Sequence, residues 1–325
     1  MQSDTRGFLQ ALIDDGRPLI TLTGLCLGLS GAFALFQSAT GEFLPQDTAF
    51  LRMLPEELCK INECRVVHFM FHDRVSFGGS LIAIAVVYLW LAAFPLKCGK
   101  PWAWWILLVS GITGFGSFLT YLGYGYLDQW HAVATVALLP CFVAGLWLSR
   151  RCVVSNAASS SAGMSWKCLL RPTPETVWRS WAGAGRVCLL IAAVGMVGAG
   201  FTIQGIGMTE VFVPTDLTYM GMTRAQLDAI NPRLIPLIAH DRAGFGGGVA
   251  TAGLLLFACV WCGAASRSLW QGMLIGGIAG WGAGIGIHPI IGYTDAGHLG
   301  PAVAGAGLYF AGLALTYSSM LKGRC

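Results

Sequence analysis

Two short patterns, each present twice, hold most of the residues able to do chemistry. His72-Asp73-Arg74 recurs as His240-Asp241-Arg242, and Tyr126-x-Asp128-x-x-His131 recurs as Tyr293-x-Asp295-x-x-His298. Together they take up four of the six histidines in the chain. Imidazole nitrogens and carboxylate oxygens suit Zn²⁺ or another divalent ion, so His72, His131, His240 and His298 are candidate metal ligands, and an open position on the ion would activate water. One His from each pattern would equally give bis-His ligation of a haem, with Arg74 or Arg242 near the propionates. Without a cofactor, His and Asp could act as general base and orienter on a small-molecule or lipid ligand, or relay protons and ions in a transporter.

Each residue also has a plainly structural use. Asp73, Asp128, Asp241 and Asp295 could cap helix N-termini, at about 1 kcal/mol each. Arg74 and Arg242 could snorkel or pair with a neighbouring Asp, Tyr126 and Tyr293 suit a membrane interface, and Gly78-Gly79 and Gly246-Gly247 allow close helix packing. The recurring histidines have no such explanation, being neither caps nor good span residues. His68 stands four residues before His72, but Pro236 takes its place in the second pattern, and His288 lies near the end of the seventh apolar run. No G-x-S-x-G elbow is present, and patterns such as Gly280-x-Gly282 fall in apolar runs, where they signal helix packing.

The elements that position these residues follow from composition. Charged residues make up 11% of the 325, hydrophobic residues 55%, and mean hydropathy is +0.65. That excludes a nucleic-acid binder, a disordered chain and a secreted disulfide scaffold, and implies an all-α polytopic membrane protein in contact with a lipid bilayer. Eight apolar runs are long enough to span, near 18–37, 77–95, 103–122, 131–149, 186–206, 244–264, 270–290 and 299–318. The seventh is Gly-rich enough to be either a closely packed helix or partly irregular backbone. No small-residue cleavage site follows an N-terminal apolar stretch, so no cleaved leader is expected.

Even span number puts both termini on one side. Thirteen Lys and Arg fall there and seven on the other, which predicts cytoplasmic termini in a plasma or cell inner membrane. Two polar loops, 38–76 and 207–243, then lie outside. Trp102, Trp104, Trp105, Trp178, Trp181 and Trp270 fit a cytoplasmic interfacial belt. Of eleven cysteines only Cys59 and Cys64 fall in the outer loops, where they could pair or remain free thiols. Cys259-x-x-Cys262 lies in an apolar span without other ligands.

The repeat extends well beyond the two patterns. Phe43-x-Pro45-x-Asp47 matches Phe212-x-Pro214-x-Asp216, Ile61-Asn62 matches Ile230-Asn231, and the offset stays between 167 and 169. This predicts a tandem copy of a four-helix unit: 1–149 with cap loop 38–76, a cytoplasmic linker 150–172, and 173–325 with cap loop 207–243. Thr223-x-x-Gln226 reads as a capping box opening a short helix that ends near Asn231-Pro232, and Pro55 opens its counterpart. Thr173-Pro174 would cap an interfacial helix carrying Trp178 and Trp181, matched by Phe8 to Ile13. All twelve motif residues are thereby expected at the outer end of the bundle, as a duplicated site for a metal, haem or small ligand with an enzymatic role in reach. A transporter of two parallel repeats and an assembly subunit of a membrane complex are the alternatives.

Overall fold

A computed structural model describes residues 13–119, 125–157, 164–173 and 178–321, and these are helical with no strand among them. The first half comprises α1 (Arg17–Thr40), α2 (Pro45–Leu51), α3 (Pro55–Cys59), α4 (Arg65–Ala93), α5 (Pro101–Leu119) and α6 (Gln129–Ala157). The second comprises α7 (Trp181–Met208), α8 (Pro214–Met220), α9 (Arg224–Ile230), α10 (Leu234–Cys262), α11 (Arg267–Ile291) and α12 (Ala296–Leu321). Eight of these are long and apolar enough to cross a membrane, and α2, α3, α8 and α9 form caps at one end. The chain is an all-α polytopic membrane protein.

Local chemistry sets the caps. Pro45 and Pro214 open α2 and α8 at positions that need no N–H donor, and the carboxylates of Asp47 and Asp216 accept from the N–H of Leu44 (3.3 Å) and Val213 (2.8 Å). The capping box of α9 forms as its residues indicate: Thr223 N–H donates to Gln226 Oε1 at 2.8 Å, and Gln226 N–H donates to Thr223 Oγ1 at 3.3 Å. Cys59 and Cys64 are joined in a disulfide.

Several elements differ from the sequence expectations. α4 starts at Arg65 rather than near 77 and α10 at Leu234 rather than near 244, so both His-Asp-Arg triplets lie inside helices and not before them. Asp73 and Asp241 therefore cap nothing, whereas Asp128 and Asp295 do, accepting from the N–H of Trp130 and His298, each at 2.8 Å. Hydropathy missed these first turns because their charges are neutralised by partners distant in sequence. α6 runs on through Arg150 and Arg151 to Ala157, making the start of the expected linker helical. α11 is a continuous helix despite its glycines. Trp178 lies in irregular backbone and Trp181 opens α7, so no separate interfacial helix carries them; 174–177, 8–12 and 120–122 lie outside the described residues. Trp102 and Trp104 are buried rather than interfacial, and Trp104 Nε1 donates to Leu146 O at 2.8 Å.

α4 and α10 form the centre: 61% and 67% of their apolar windows are buried, against 22–39% for the other six. α1 packs along α4 and α7 along α10, within each half. The third long helix of each half does the opposite, α5 packing on α10 and α11 on α4. Two close approaches permit this crossing. A Cβ on Gly79 would lie 2.5 Å from Ala283 Cβ and 2.7 Å from the Ala279 carbonyl on α11, and one on Gly247 would collide with Ser117 on α5. The caps also clasp across the halves: Asn62 Nδ2 donates to Met220 O, Asn231 Nδ2 to Leu51 O (2.8 Å), Arg65 Nη1 to Tyr219 O (3.3 Å) and Arg233 Nη1 to Phe50 O (2.5 Å).

Gly79→Ala forces α11 off α4 and should cost about 1–3 kcal/mol, as overpacked cores do. Gly282→Ala, on the same pair of helices but with open space around the new methyl, should leave thermal unfolding in detergent unchanged or raise its midpoint. Equal midpoints for the two variants would refute the close-approach account.

Candidate metal centres

The crossing of α5 and α11 decides which motif meets which. α11 runs along α4 and brings His288, then Tyr293 and His298, to His72; α5 runs along α10 and delivers Tyr126, Asp128 and His131 to His240. Each His-Asp-Arg triplet thus faces the Tyr-x-Asp-x-x-His pattern of the other half. Two groups result in which every member offers a ligand atom within 4.8 Å of the others: His72, His288 and His298, and Asp128, His131 and His240.

In the first group His72 Nε2 lies 3.1 Å from His288 Nε2, while His72 Nδ1 pairs with Asp73 Oδ1 at 3.0 Å. The carboxylate fixes the ring and leaves Nε2 facing the group, an orientation that metal-binding histidines generally receive from an outer partner. A tetrahedral ion with bonds of about 2.0–2.1 Å has ligand atoms about 3.3 Å apart, so the His72–His288 separation needs little adjustment. The His298 ring lies 5.6 Å and 5.3 Å, centroid to centroid, from those of His72 and His288. In the second group His131 Nδ1 lies 2.9 Å from His240 Nε2 and 3.4 Å from Asp128 Oδ2. Nitrogens 3.1 Å and 2.9 Å apart suit two adjacent positions on one compact ion; bis-His haem ligation would set them on opposite sides of the iron, roughly two metal–nitrogen bonds apart.

Beside each group sits a buried ion-pair lattice. Arg74 donates through Nη1 to Asp47 (2.7 Å) and through Nε to Asp241 (2.7 Å). Arg242 donates through Nη1 to Asp216 and lies with Nε 3.4 Å from Asp73. Tyr126 and Tyr293 donate to the same Asp47 and Asp216. Burial and the adjoining carboxylate push both phenols well up, so they stay protonated and serve as donors. The arginines therefore do not snorkel, and the tyrosines are buried within the protein.

Eleven of the twelve expected residues join these groups or their lattice; Asp295 is exposed and only caps α12. His68 belongs to neither group. Three functional residues escaped the sequence reading. Asp47 and Asp216 carried a signal, since the Phe-x-Pro-x-Asp pattern recurs, but it read only as a marker of the repeat. His288 carried only the rarity of histidine in an apolar chain, because the repeat has no His at 121 or 122 to match it.

The fold and site define a multi-pass helical membrane protein with two three-residue His/Asp groups, among the described residues, that could hold a metal ion. No family model, curated protein or solved structure matches the chain.

Tyr293→Phe removes a hydrogen bond to the Asp216 carboxylate that Arg242 also pairs with, and should lower unfolding stability by about 1.5–3 kcal/mol. Tyr219→Phe removes a bond to the neutral Ile291 carbonyl (2.9 Å) and should cost about 0.5–1.5 kcal/mol. Reversible unfolding of both variants measures the difference; a Tyr293→Phe cost no larger than that of Tyr219→Phe contradicts a charged lattice.

Proposed function

We propose that the protein is a metal-dependent membrane enzyme whose working centre is His72, His288 and His298. The observation that carries this is the convergence of three imidazole nitrogens, one held by a carboxylate, beside a cavity of about 790 Å³ that His72, His288 and His298 themselves line. Structural sites close around an ion with four protein ligands, whereas three ligands and an adjoining space are the pattern of a catalytic one. His72, His288 and His298 would hold the ion, Asp73 would orient His72, and Arg242 would supply fixed positive charge beside the reacting group. An ion there polarises a bound oxygen or exchanges electrons with it, according to its identity. Asp128, His131 and His240 would form a second centre with a different ligand set, one carboxylate and two imidazoles. It is boxed in by Phe118, whose ring lies 5.4 Å from His131, and by Phe77 at 6.1 Å, and so suits an auxiliary ion.

Two features bear on the wider reading. The equivalence of Arg74–Asp241 with Arg242–Asp73, and of Asn62–Met220 with Asn231–Leu51, supports a copied four-helix unit with its halves at about 1–149 and 173–325. The same contacts weigh against a transporter that rocks one half against the other, since each stroke would break buried ion pairs that cross the interface. The excess of Lys and Arg on the terminal side and the Cys59–Cys64 disulfide both support caps facing the outside of a cell inner or plasma membrane.

Elemental analysis of detergent-purified protein tests the assignment. Wild type, grown or reconstituted with Zn, Cu, Fe and Mn salts in turn, should hold one metal at both centres. His288→Ala should lose about one ion per chain while His131→Ala loses the other. Zn would mark Lewis-acid chemistry, Cu or Fe redox chemistry. A folded protein with no stoichiometric metal under any of these conditions would sink the proposal.

A further inference from the structure

The two groups differ in their surroundings as well as in their ligand sets. The cavity at His72, His288 and His298 runs between α4, α7, α10, α11 and α12, from Ser76 and Gly284 at the histidine end to Trp90 and Leu269 at the other. Ser76 to Trp90 is fourteen residues of α4, or about 21 Å of helix. Its walls are almost wholly apolar, and they include Ile191, 53% exposed, so the groove reaches the lipid-facing surface. The counterpart in the other half is a remnant of about 40 Å³ lined by Phe77, Tyr88, Phe115 and Phe118.

The difference traces to single residues. Gly111 lies against Phe142 as Gly277 lies against Tyr309, and Ser117 meets Gly247 as Ala283 meets Gly79, which sets the register of α5 against α11. On that register Phe118 corresponds to Gly284, and Tyr88 on α4 corresponds to Leu256 on α10. In the closed half Tyr88 stacks on Phe142 at 5.7 Å, Phe115 lies 5.5 Å from Phe142, and Phe118 covers His131. In the open half nothing lies within 4 Å of a Cβ placed on Gly284. The fold can fill this space with its own side chains and in one half does so.

We infer that the open groove is a binding site for a single-chain amphiphile, its oxygen-bearing head at His72, His298 and Ser76 and its hydrocarbon tail along α4 and α11 toward Trp90. This rests on the metal-centre reading for what the head meets, and names the substrate class of that centre. Bulk lipid would not need the polar end. There Ser76, 1% exposed and lining the groove, keeps an Oγ without a hydrogen-bond partner among the described residues, and His72, His288 and His298 line the same groove. At about 21 Å the groove exceeds half of the roughly 30 Å hydrocarbon core, so it accepts an extended tail of one leaflet's length or more. Fatty acyl and isoprenoid amphiphiles both meet this description.

Photo-crosslinking of the metal-loaded protein separates the outcomes. The probes are a diazirine-bearing palmitic acid, a diazirine-bearing long-chain isoprenol and a two-tailed diazirine phosphatidylcholine, with labelled peptides mapped by mass spectrometry. One of the single-chain probes should label α7 and α11 along the groove, a tail-end diazirine reacting near Trp90 and Leu269 and a head-end one near Ser76 and Gly284. Which of the two labels names the source. Gly284→Phe, which reproduces the closed half, should cut this labelling about tenfold with both metal equivalents retained. Ala199→Leu, filling the groove from α7, serves where Gly284→Phe does not yield monodisperse protein. Labelling that is unaffected by either variant, or equal labelling by the two-tailed probe, overturns the proposal. Groove labelling in protein that binds no metal would instead keep the amphiphile site and remove the metal reading.

Discussion

Four buried charges that cross the bundle centre constrain everything else. Arg74 reaches Asp241 and Arg242 lies against Asp73, each pair spanning the two halves, with Asp47 and Asp216 completing the arginines from the caps. A charge near the middle of a membrane helix costs a few kcal/mol or more unless it is met. These four meet one another, so α4 and α10 must lie side by side at a fixed height and rotation for either half to be tolerable. The caps follow, because Asp47 and Asp216 must stand over the arginines, and the tyrosines follow because each donates to one of those carboxylates.

Once α4 and α10 are fixed, the position of the third helices determines the chemistry. Had α5 packed on α4, His131 would have faced its own half's His72. With α5 packed on α10, Asp128 and, at the start of α6, His131 stand at His240, while α11 carries His288 and the start of α12 carries His298 to His72. Each three-residue His/Asp group is therefore built from both halves of the chain, and neither half holds a complete one. The glycines at 79 and 247 permit this arrangement, since their approach to α11 and α5 lets the histidine-bearing ends converge.

Much of the fold was legible because it rests on local rules. Apolar run length found all eight long helices, and Thr223-x-x-Gln226 and Pro55 located two cap helices. Repetition found His72, His131, His240 and His298. What sequence could not give was the pairing between them: offset 168 aligns the halves with each other but says nothing about which face of α5 meets which neighbour. The same limit hid Asp47 and Asp216, whose Oδ2 accepts both the capping N–H of α2 or α8 and an arginine, while Oδ1 accepts a tyrosine. It also misplaced the starts of α4 and α10, since hydropathy counts Asp73 and Arg74 as charges when their partners have already neutralised them.

The crossing treats both halves alike, so the inequality of the two groups comes from the side chains behind them. Because the halves interlock through Arg–Asp pairs and cap asparagines, neither can lose its framework without unfolding the other, so residues that build the lattice are held in both. Residues lining the spaces behind the histidines are under no such constraint. Filling one space with Phe118 and Tyr88 adds buried apolar area and stabilises the bundle, as hydrophobic burial and aromatic contact do elsewhere. Leaving the other open, with Gly284 and Leu256 in the same places, forgoes that gain. A cavity of about 790 Å³ kept in only one half of an otherwise matched pair is stability withheld at one location. The location is the one where three histidines face it.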